Sequence, residues 1–116
     1  MNTNVKEYEI IAKSIADKKG WNIVILDMSE TTILADCFVI CSARNVRQAQ
    51  SIADAVEEAL KKEGRAVRHR EGYTGGRWIL LDTGDTVVHI FMEQERDYYG
   101  LENVWSDTER IPFEGA

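Results

Sequence analysis

The spacing of apolar residues predicts two amphipathic helices in the first half of the chain. Apolar positions recur every three or four residues over 5–16, directly after the cap formers Asn2–Asn4, which indicates an N-terminal helix. A longer stripe with the same spacing predicts a second helix over 45–63. Asn45, followed by Gln48 three positions later, has the pattern of a capping box at the start of this helix.

Short runs of β-branched, aliphatic and aromatic residues predict five strands. The runs are Ile23–Leu26, Cys37–Cys41, Ala66–Arg70, Arg77–Asp82 and Asp85–Phe91. The second and third runs flank the second helix, which predicts a parallel, right-handed βαβ unit, and the last two runs form a hairpin. We therefore expect an α/β domain over 1–106 with a mixed five-stranded sheet and flanking helices. A polar tail follows over 107–116, and order is expected to end near Pro112.

The predicted hairpin has two faces of different composition. A two-residue loop at Thr83-Gly84 would place Asp82 opposite Asp85 and Trp78 opposite His89. Because side chains alternate, these four residues share one face with Leu80, Val87 and Phe91, a composition typical of a binding surface. The other face is almost purely aliphatic and is expected to pack against the helices; it carries Ile79, Leu81, Thr86, Val88, Ile90 and Met92.

The carboxylate pair at the hairpin tip is the sharpest feature of this face. Like charges directly opposite one another destabilise a sheet, so the pair suggests that a cation or a hydrogen-bond donor approaches it. Solvated turn aspartates are the alternative for Asp82 and Asp85. For His89 the alternative is a structural histidine with its hydrogen bonds satisfied, and for Trp78 it is semi-buried packing.

Charge restricts the class of partner. The chain carries a formal charge of −6 and is 44% apolar, which excludes a disordered segment and disfavours broad binding to a bare phosphate backbone. Seven acids and two arginines follow residue 92, so this last segment holds −5 of the total, and the expected macromolecular partner is basic. The segment 93–105 is expected to form a short helix and turn, with Tyr98, Leu101 and Trp105 facing the core in the simplest interpretation.

The sequence offers little support for catalysis or cofactor binding. Cys37 and Cys41 lie about 13 Å apart on one strand, too far for a disulfide, and are expected to be core residues. The glycine-rich segment 71–77 precedes a strand, whereas phosphate-binding loops open a helix. There is no Asp-x-Asp pair, so a metal-dependent transferase is the alternative only if the fold gathers scattered carboxylates. Those carboxylates are Asp27, Asp36, Asp82 and Asp85.

Two further expectations concern the location of the protein in the cell and a group of basic residues. The chain contains neither a long apolar span nor a signal sequence, so we expect a cytoplasmic protein. A small group of cations surrounds His69 and is expected to be a solvated face that touches RNA phosphates at most at its rim. These cations are Lys61, Lys62, Arg65, Arg68 and Arg70.

Several segments together resemble one known family, the ribosomal silencing factors, also called Iojap-like proteins. The most specific are the hairpin from Trp78 to Phe91 and the ending Tyr-x-Leu-Glu-x-x-Trp at 99–105. The remaining matches are Ala35–Cys41, Arg47–Asp54, Glu71-Gly72 and Glu95–Tyr98. The resemblance implies a fold similar to nucleotidyltransferases without their catalytic Gly-Ser and Asp-x-Asp signatures, hence no enzyme and no cofactor.

The resemblance also implies a function and a set of site residues. Members of this family bind the large ribosomal subunit at ribosomal protein fourteen and sterically keep the small subunit from docking, which represses translation when nutrients fall. The residues that match the two specific motifs, and are therefore candidate ribosome-binding residues, are Trp78, Asp82, Asp85, His89, Tyr98, Glu102 and Trp105. A homodimer of the free protein and a minor contact to ribosomal RNA are further expectations; a homodimeric adaptor for another basic partner is a third functional hypothesis.

Finally, the chain departs from the family pattern at a few positions. Relatives often carry Gly and Thr within 42–45, where this chain has Ser-Ala-Arg-Asn before the second helix. Trp21 and Val104 also depart from the pattern, and we expect both to be packing changes.

Overall fold

Six strands and four helices make up the part of the chain that the computed structural model describes, residues 6–31 and 35–113. In chain order they are α1 (Glu7–Asp17), β1 (Trp21–Asp27), β2 (Cys37–Ala43), α2 (Val46–Lys62), β3 (His69–Glu71), β4 (Trp78–Asp82), β5 (Thr86–Met92), α3 (Glu93–Tyr99), α4 (Leu101–Val104) and β6 (Arg110–Ile111). Both predicted helices and all five predicted strands are confirmed. The cap formers Asn2–Asn4 lie outside the described residues.

The strands form one mixed sheet in the order β3-β4-β5-β2-β1-β6. Only β2 and β5 pair in parallel, and every other neighbouring pair is antiparallel. It follows that β3 runs parallel to β2, as the βαβ pattern predicts, but β4 and β5 lie between them. The right-handed sense of this crossover stays a prediction.

The sheet has six strands rather than five because the predicted polar tail contributes one. Ile111 and Arg110 pair with Ile25 and Leu26 of β1, and Phe113 packs against the main core. The chain is therefore ordered on both sides of Pro112, where the sequence suggested that order would end. Two residues are too short a run for a periodic pattern, so the sequence gives no strand signal there.

The hairpin register differs from the predicted one. Asp82 pairs with Val87, Leu80 with His89 and Trp78 with Phe91, a shift of two residues along β5. The chain reverses at Gly84 and Asp85, and the Thr83 N–H donates to the Thr86 carbonyl at 2.9 Å. The predicted Asp82–Asp85 pair is therefore wrong. A shift of two residues preserves the faces, so the predicted face assignment is confirmed for the strand residues, whereas Asp85 lies in the turn and does not share the face.

The two faces of the sheet are covered differently. α1 and α2 pack over what we call the helix-covered face, where Ile79, Leu81, Val88 and Ile90 are fully buried among helix side chains such as Ile52 and Leu60. Cys37 and Cys41 belong to this core, and burial raises the pKa of both thiols to about 12. The prediction that they are core residues is confirmed.

The opposite face carries a smaller apolar cluster of Val24, Leu26, Met28, Ile40 and Phe91. The C-terminal helices lie at one end of it, so that Leu101 and Trp105 pack on the cluster together with Phe38 and Trp78. Across the described residues, no helix is long and apolar enough to cross a membrane.

Candidate functional site

Six aromatic rings form a connected layer on the sheet face opposite α1 and α2. We call this layer the aromatic face; it consists of Phe38, Trp78, His89, Phe91, Tyr99 and Trp105. The β strands supply the first four rings by alternation, and the segment after β5 supplies the last two. Ring centroids lie 4.7–6.4 Å apart from neighbour to neighbour, within the range in which aromatic pairs stabilise one another.

Trp78 is the centre of this layer. Its ring lies 4.8 Å from Phe91 and 4.7 Å from Tyr99, centroid to centroid. Its indole N–H donates a hydrogen bond of 3.1 Å to Nδ1 of His89. The side chain is only half-buried, so one part of it is fixed by neighbours while the remainder stays open to a partner.

His89 is buried and neutral. Burial lowers the pKa of His89 to about 4, so the ring carries no charge near neutral pH. Because Nδ1 accepts from Trp78, the ring proton is assigned to Nε2. Among the described residues Nε2 has no hydrogen-bond partner, although the Phe38 ring stands edge-on with its centroid 4.9 Å away. The structural alternative thus describes His89 only in part: one ring nitrogen is satisfied and the other is not.

A buried ion pair fixes the segment after β5 to the sheet. Arg96 is 4% exposed and donates to both carboxylate oxygens of Glu102, at 2.6 and 3.1 Å. It also donates to the Asn22 carbonyl at 2.7 Å and to Ser42 Oγ at 2.9 Å, which attaches α3 to β1 and β2. The hydrogen bonds that Glu102 accepts from Arg96 lower the pKa of the Glu102 carboxyl. Glu102 therefore anchors the helices instead of facing outward.

Apolar side chains beside this anchor are exposed. Tyr98 is 83% exposed, Val104 66% and Tyr99 49%. The expectation that Tyr98 faces the core is wrong, because α3 turns its Arg96 side inward and leaves Tyr98 on the outside. Leu101 and Trp105 do pack on the apolar cluster, as predicted. We call these exposed side chains, together with half-buried Trp78, the apolar rim; ring contacts connect Trp78, Tyr99 and Tyr98, and Val104 follows on α4.

The expectation that Trp21 and Val104 are packing changes is wrong. Trp21 is 38% exposed, and Val104 belongs to the rim just described. Both departures from the family pattern thus modify the surface of the protein and not its core.

The fold separates the seven predicted site residues into three groups. Trp78, His89, Trp105 and exposed Tyr98 belong to or border the aromatic face, and alternation along β4 puts Asp82 on the same side. Asp82 Oδ1 accepts from the Gly84 N–H at 2.8 Å, so part of its capacity is used within the turn. Glu102 is the internal anchor.

Asp85 lies apart from the aromatic face. Its carbonyl accepts from the Asp36 N–H at 2.7 Å, which fastens the turn to the start of β2. It lines a cavity of about 430 Å³ at the end of the sheet together with Asp27, Asp36 and Glu7 of α1. Three of the four scattered carboxylates thus reach one cavity and Asp82 does not. Across residues 6–31 and 35–113, no three His, Cys, Asp or Glu side chains are placed to hold a metal ion together.

The cations predicted around His69 are partly neutralised within the chain. Arg65 pairs with Glu7 at 3.3 Å, Arg70 with Glu57 at 3.0 Å, and His69 with its neighbour Glu71. The Arg70 guanidinium also lies 4.2 Å above the Tyr73 ring. The other three cations, Lys61, Lys62 and Arg68, form no ion pair with the described residues.

Comparisons with known proteins give one consistent family. The sequence model of the family described as "Ribosomal silencing factor during starvation" matches residues 2–116. A protein of Halalkalibacterium halodurans named "Ribosomal silencing factor RsfS" is 35% identical over 114 residues, which cover 98% of this chain and 97% of that protein. Its namesake in Bacillus subtilis is 39% identical over 99 residues, covering 85% and 84%. A crystal structure of a Chromobacterium violaceum protein superposes with a TM-score of 0.83 at 31% identity, covering 97% of this chain and 94% of that one.

Proposed function

Because this chain belongs to the ribosomal silencing factor family, as its two motifs predict, we propose that it binds the large ribosomal subunit at ribosomal protein fourteen and blocks docking of the small subunit. Occupying the joining surface is sufficient for this function, so the protein acts by steric occlusion and not as an enzyme. Repression of translation under nutrient limitation follows, because fewer subunits enter initiation.

The exposed rim of the aromatic face is the observation that supports a docking site on this face. Tyr98 and Val104 are the most exposed large apolar side chains among the described residues, and half-buried Trp78 is connected to Tyr98 through Tyr99. Aromatic side chains of this kind dominate binding energy at protein interfaces. Stacking and the His89 hydrogen bond hold Trp78 in place before binding, which lowers the entropy lost on association.

Charge supports a basic protein as the partner. Glu93 and Asp97 of α3 are exposed next to the rim, and Asp82 extends the acidic side chains along β4. An acidic border around an apolar centre attracts a basic partner during the encounter, and the attraction weakens as salt is added. The partner is therefore expected to present positive charge around an apolar surface.

The proposal is tested by co-sedimentation with isolated large subunits. We expect the double variant Tyr98→Ala/Val104→Ala to weaken binding by roughly tenfold or more, since two interface contacts are lost. The matched control removes two exposed side chains from the helix side of the molecule, Glu58→Ala/Lys62→Ala, and should bind as the wild type does. Equal binding by all three proteins would show that the rim is not the docking site.

Two further measurements separate the proposed function from its alternatives. In a subunit-joining assay the wild type should reduce formation of complete ribosomes, and the rim variant should not. Binding to isolated ribosomal protein fourteen should follow the same order. A homodimeric adaptor would instead bind another basic protein and leave subunit joining unchanged.

Calorimetry addresses the enzyme alternative directly. Of the four carboxylates considered for a transferase, Asp27, Asp36 and Asp85 come together around the end-of-sheet cavity. Titration with magnesium and a nucleoside triphosphate should give no binding heat. Saturable binding that Asp36→Asn abolishes would contradict the non-catalytic assignment.

A further inference from the structure

Four basic side chains surround a depression at the N-terminal end of α2, and we call them the basic patch. They are Lys18, Lys19, Arg44 and Arg47, all exposed. The depression, about 610 Å³ in volume, is lined otherwise by Asn45, Gln48 and Ser51, with no acid among its lining residues. The first turn of α2 also contains no acid, so its positive dipole end adds to the field.

The basic patch differs from Arg65 and Arg70 near His69 in having no ion-pair partners among the described residues. None of its four side chains forms an ion pair within residues 6–31 and 35–113, whereas Arg65 and Arg70 are both paired. The nearest acid in sequence, Asp17, lines the neighbouring groove between α1 and α2. Four unneutralised cations on a chain of net charge −6 are a local exception to its acidity.

Gln48 holds the two halves of the patch together. Its Nε2 donates to the Lys18 and Lys19 carbonyls at 3.2 and 3.1 Å, and its Oε1 accepts from the Arg44 N–H at 2.6 Å. The capping box predicted for Asn45 is thus only half formed: the Asn45 side chain accepts from Gln48 N–H, but Gln48 reaches Arg44 instead. This network fixes the α1–β1 turn against the start of α2, so the backbone positions that carry the cations are held together before any ligand arrives.

The depression also contains hydrogen-bonding groups beside the cations. Asn45 and Ser51 line it together with the four basic side chains. Cations with amide and hydroxyl groups in one depression match the chemistry of nucleic-acid backbones, because phosphate oxygens accept hydrogen bonds from all three kinds of group. Trp21 lies on the other side of the sheet, since it pairs with Ser42, whose Oγ accepts from Arg96.

We propose that the basic patch binds backbone phosphates of RNA. This inference rests on the proposed function in one respect, namely that the RNA at hand is ribosomal. The molecule would then use two surfaces of opposite character: the acidic-bordered aromatic face for a basic protein and the basic patch for RNA. The basic patch lies at the other end of α2 from the cations around His69, for which the sequence suggested an RNA contact.

The test uses the full chain and a short fluorescent RNA hairpin, with binding followed by anisotropy at several salt concentrations. Each phosphate contact contributes about −0.9 to the slope of log affinity against log salt, so four contacts give a slope between about −3 and −4. Arg44→Ala/Arg47→Ala should reduce the slope to about −2 and weaken affinity severalfold. Lys61→Ala/Lys62→Ala changes net charge equally at the other end of α2 and should leave the slope unchanged.

Gln48→Ala tests whether the arrangement of the four cations contributes to RNA binding separately from their charge. It should weaken hairpin binding while leaving the slope near the wild-type value, because the cations remain but are no longer held together. Arg44→Lys/Arg47→Lys should restore the slope, since phosphate contacts need positive charge.

The outcomes distinguish this inference from the proposed function. Tyr98→Ala/Val104→Ala should bind the hairpin normally, and Arg44→Ala/Arg47→Ala should bind isolated ribosomal protein fourteen normally but large subunits more weakly. Absence of hairpin binding by the wild type would overturn the inference. Equal losses of hairpin affinity in Arg44→Ala/Arg47→Ala and Lys61→Ala/Lys62→Ala would also overturn it. The inference would also fail if Arg44→Ala/Arg47→Ala bound large subunits more weakly but bound the hairpin normally. That result would indicate an acidic protein segment as the ligand.

Discussion

Beneath α1 and α2 the sheet buries a continuous aliphatic layer, whereas the aromatic face is covered only at one end and includes a histidine and an ion pair. The helix-covered face needs only shape and hydrophobicity. The aromatic face needs specific partners for polar groups, because burying a polar group without one is unfavourable. The comparison teaches that one sheet separates the two tasks: one side holds the fold together, and the other stays partly open for binding.

The largest difference between the faces should appear when a buried side chain is truncated to alanine. Ile90→Ala on the helix-covered face should lower the free energy of unfolding by about 2–5 kcal/mol, since the side chain is fully buried. Leu80→Ala on the aromatic face removes a half-buried side chain and should cost about half as much or less. Urea denaturation measures both. Equal losses would show that the aromatic face is as much a core as the other.

Acid should destabilise the protein through the buried histidine of the aromatic face. The pKa of His89 is about 4 in the folded protein and about 6.5 when unfolded, so protonation favours the unfolded chain. Stability is fully present above pH 6.5 and should fall by about 3 kcal/mol as the pH drops from about 6.5 to about 4. The loss is followed by urea denaturation across that range.

The control for the acid effect is His89→Phe, which has no group that titrates in this window. The variant should show a flatter pH profile whatever its stability at neutral pH. Glu102, whose pKa is lowered, contributes a further loss at more acidic pH in both proteins. Identical profiles between pH 6.5 and 4 would refute the assignment of a buried neutral histidine.

A smaller effect is expected from the ion pair at the edge of the aromatic face. Arg96→Met leaves Glu102 without its donor and should cost about 2 kcal/mol. Arg77→Met breaks the exposed pair with Glu95, at 3.7 Å, and should cost less than about 1 kcal/mol. Thermal or urea unfolding compares the two. The ranking reverses only if α3 is held by its apolar contacts and not by Arg96.

The smallest effect on stability is expected at the rim. Tyr98→Ala should change the free energy of unfolding by less than about 0.5 kcal/mol, because the side chain is exposed. A stable variant that nevertheless binds large subunits more weakly would identify Tyr98 as a binding residue. A clear loss of stability would instead assign it a structural role.

Alternation and helical periodicity were sufficient to predict the helices, the strands and the two faces. The predicted hairpin register was wrong, because both Thr83-Gly84 and Gly84-Asp85 fit a two-residue loop and the first was chosen. The second was the better choice: with the turn there, Thr83 and Thr86 face each other and Gly84 takes a φ of +103°. The error of two residues left the faces intact but removed the argument for a carboxylate pair.

Site residues that depend on long-range contacts were not predictable from local pattern. Arg96 was only one cation in an acidic segment, and nothing in its neighbours predicts that it contacts Asn22 and Ser42, more than fifty residues away. Glu102 matched a family motif, yet the motif does not say whether its carboxylate points inward or outward. Such assignments need the three-dimensional arrangement.

The two outer strands also have a consequence for how copies of the chain behave toward one another. An open sheet edge presents unpaired backbone groups that can recruit another strand and nucleate aggregates. Here β3 is three residues long with only charged or ionisable side chains, and β6 is two residues long and is followed by Pro112, which has no N–H to donate. Both edges are therefore poor templates, so a protein that exposes an apolar rim for its partner is protected against strand-by-strand self-association.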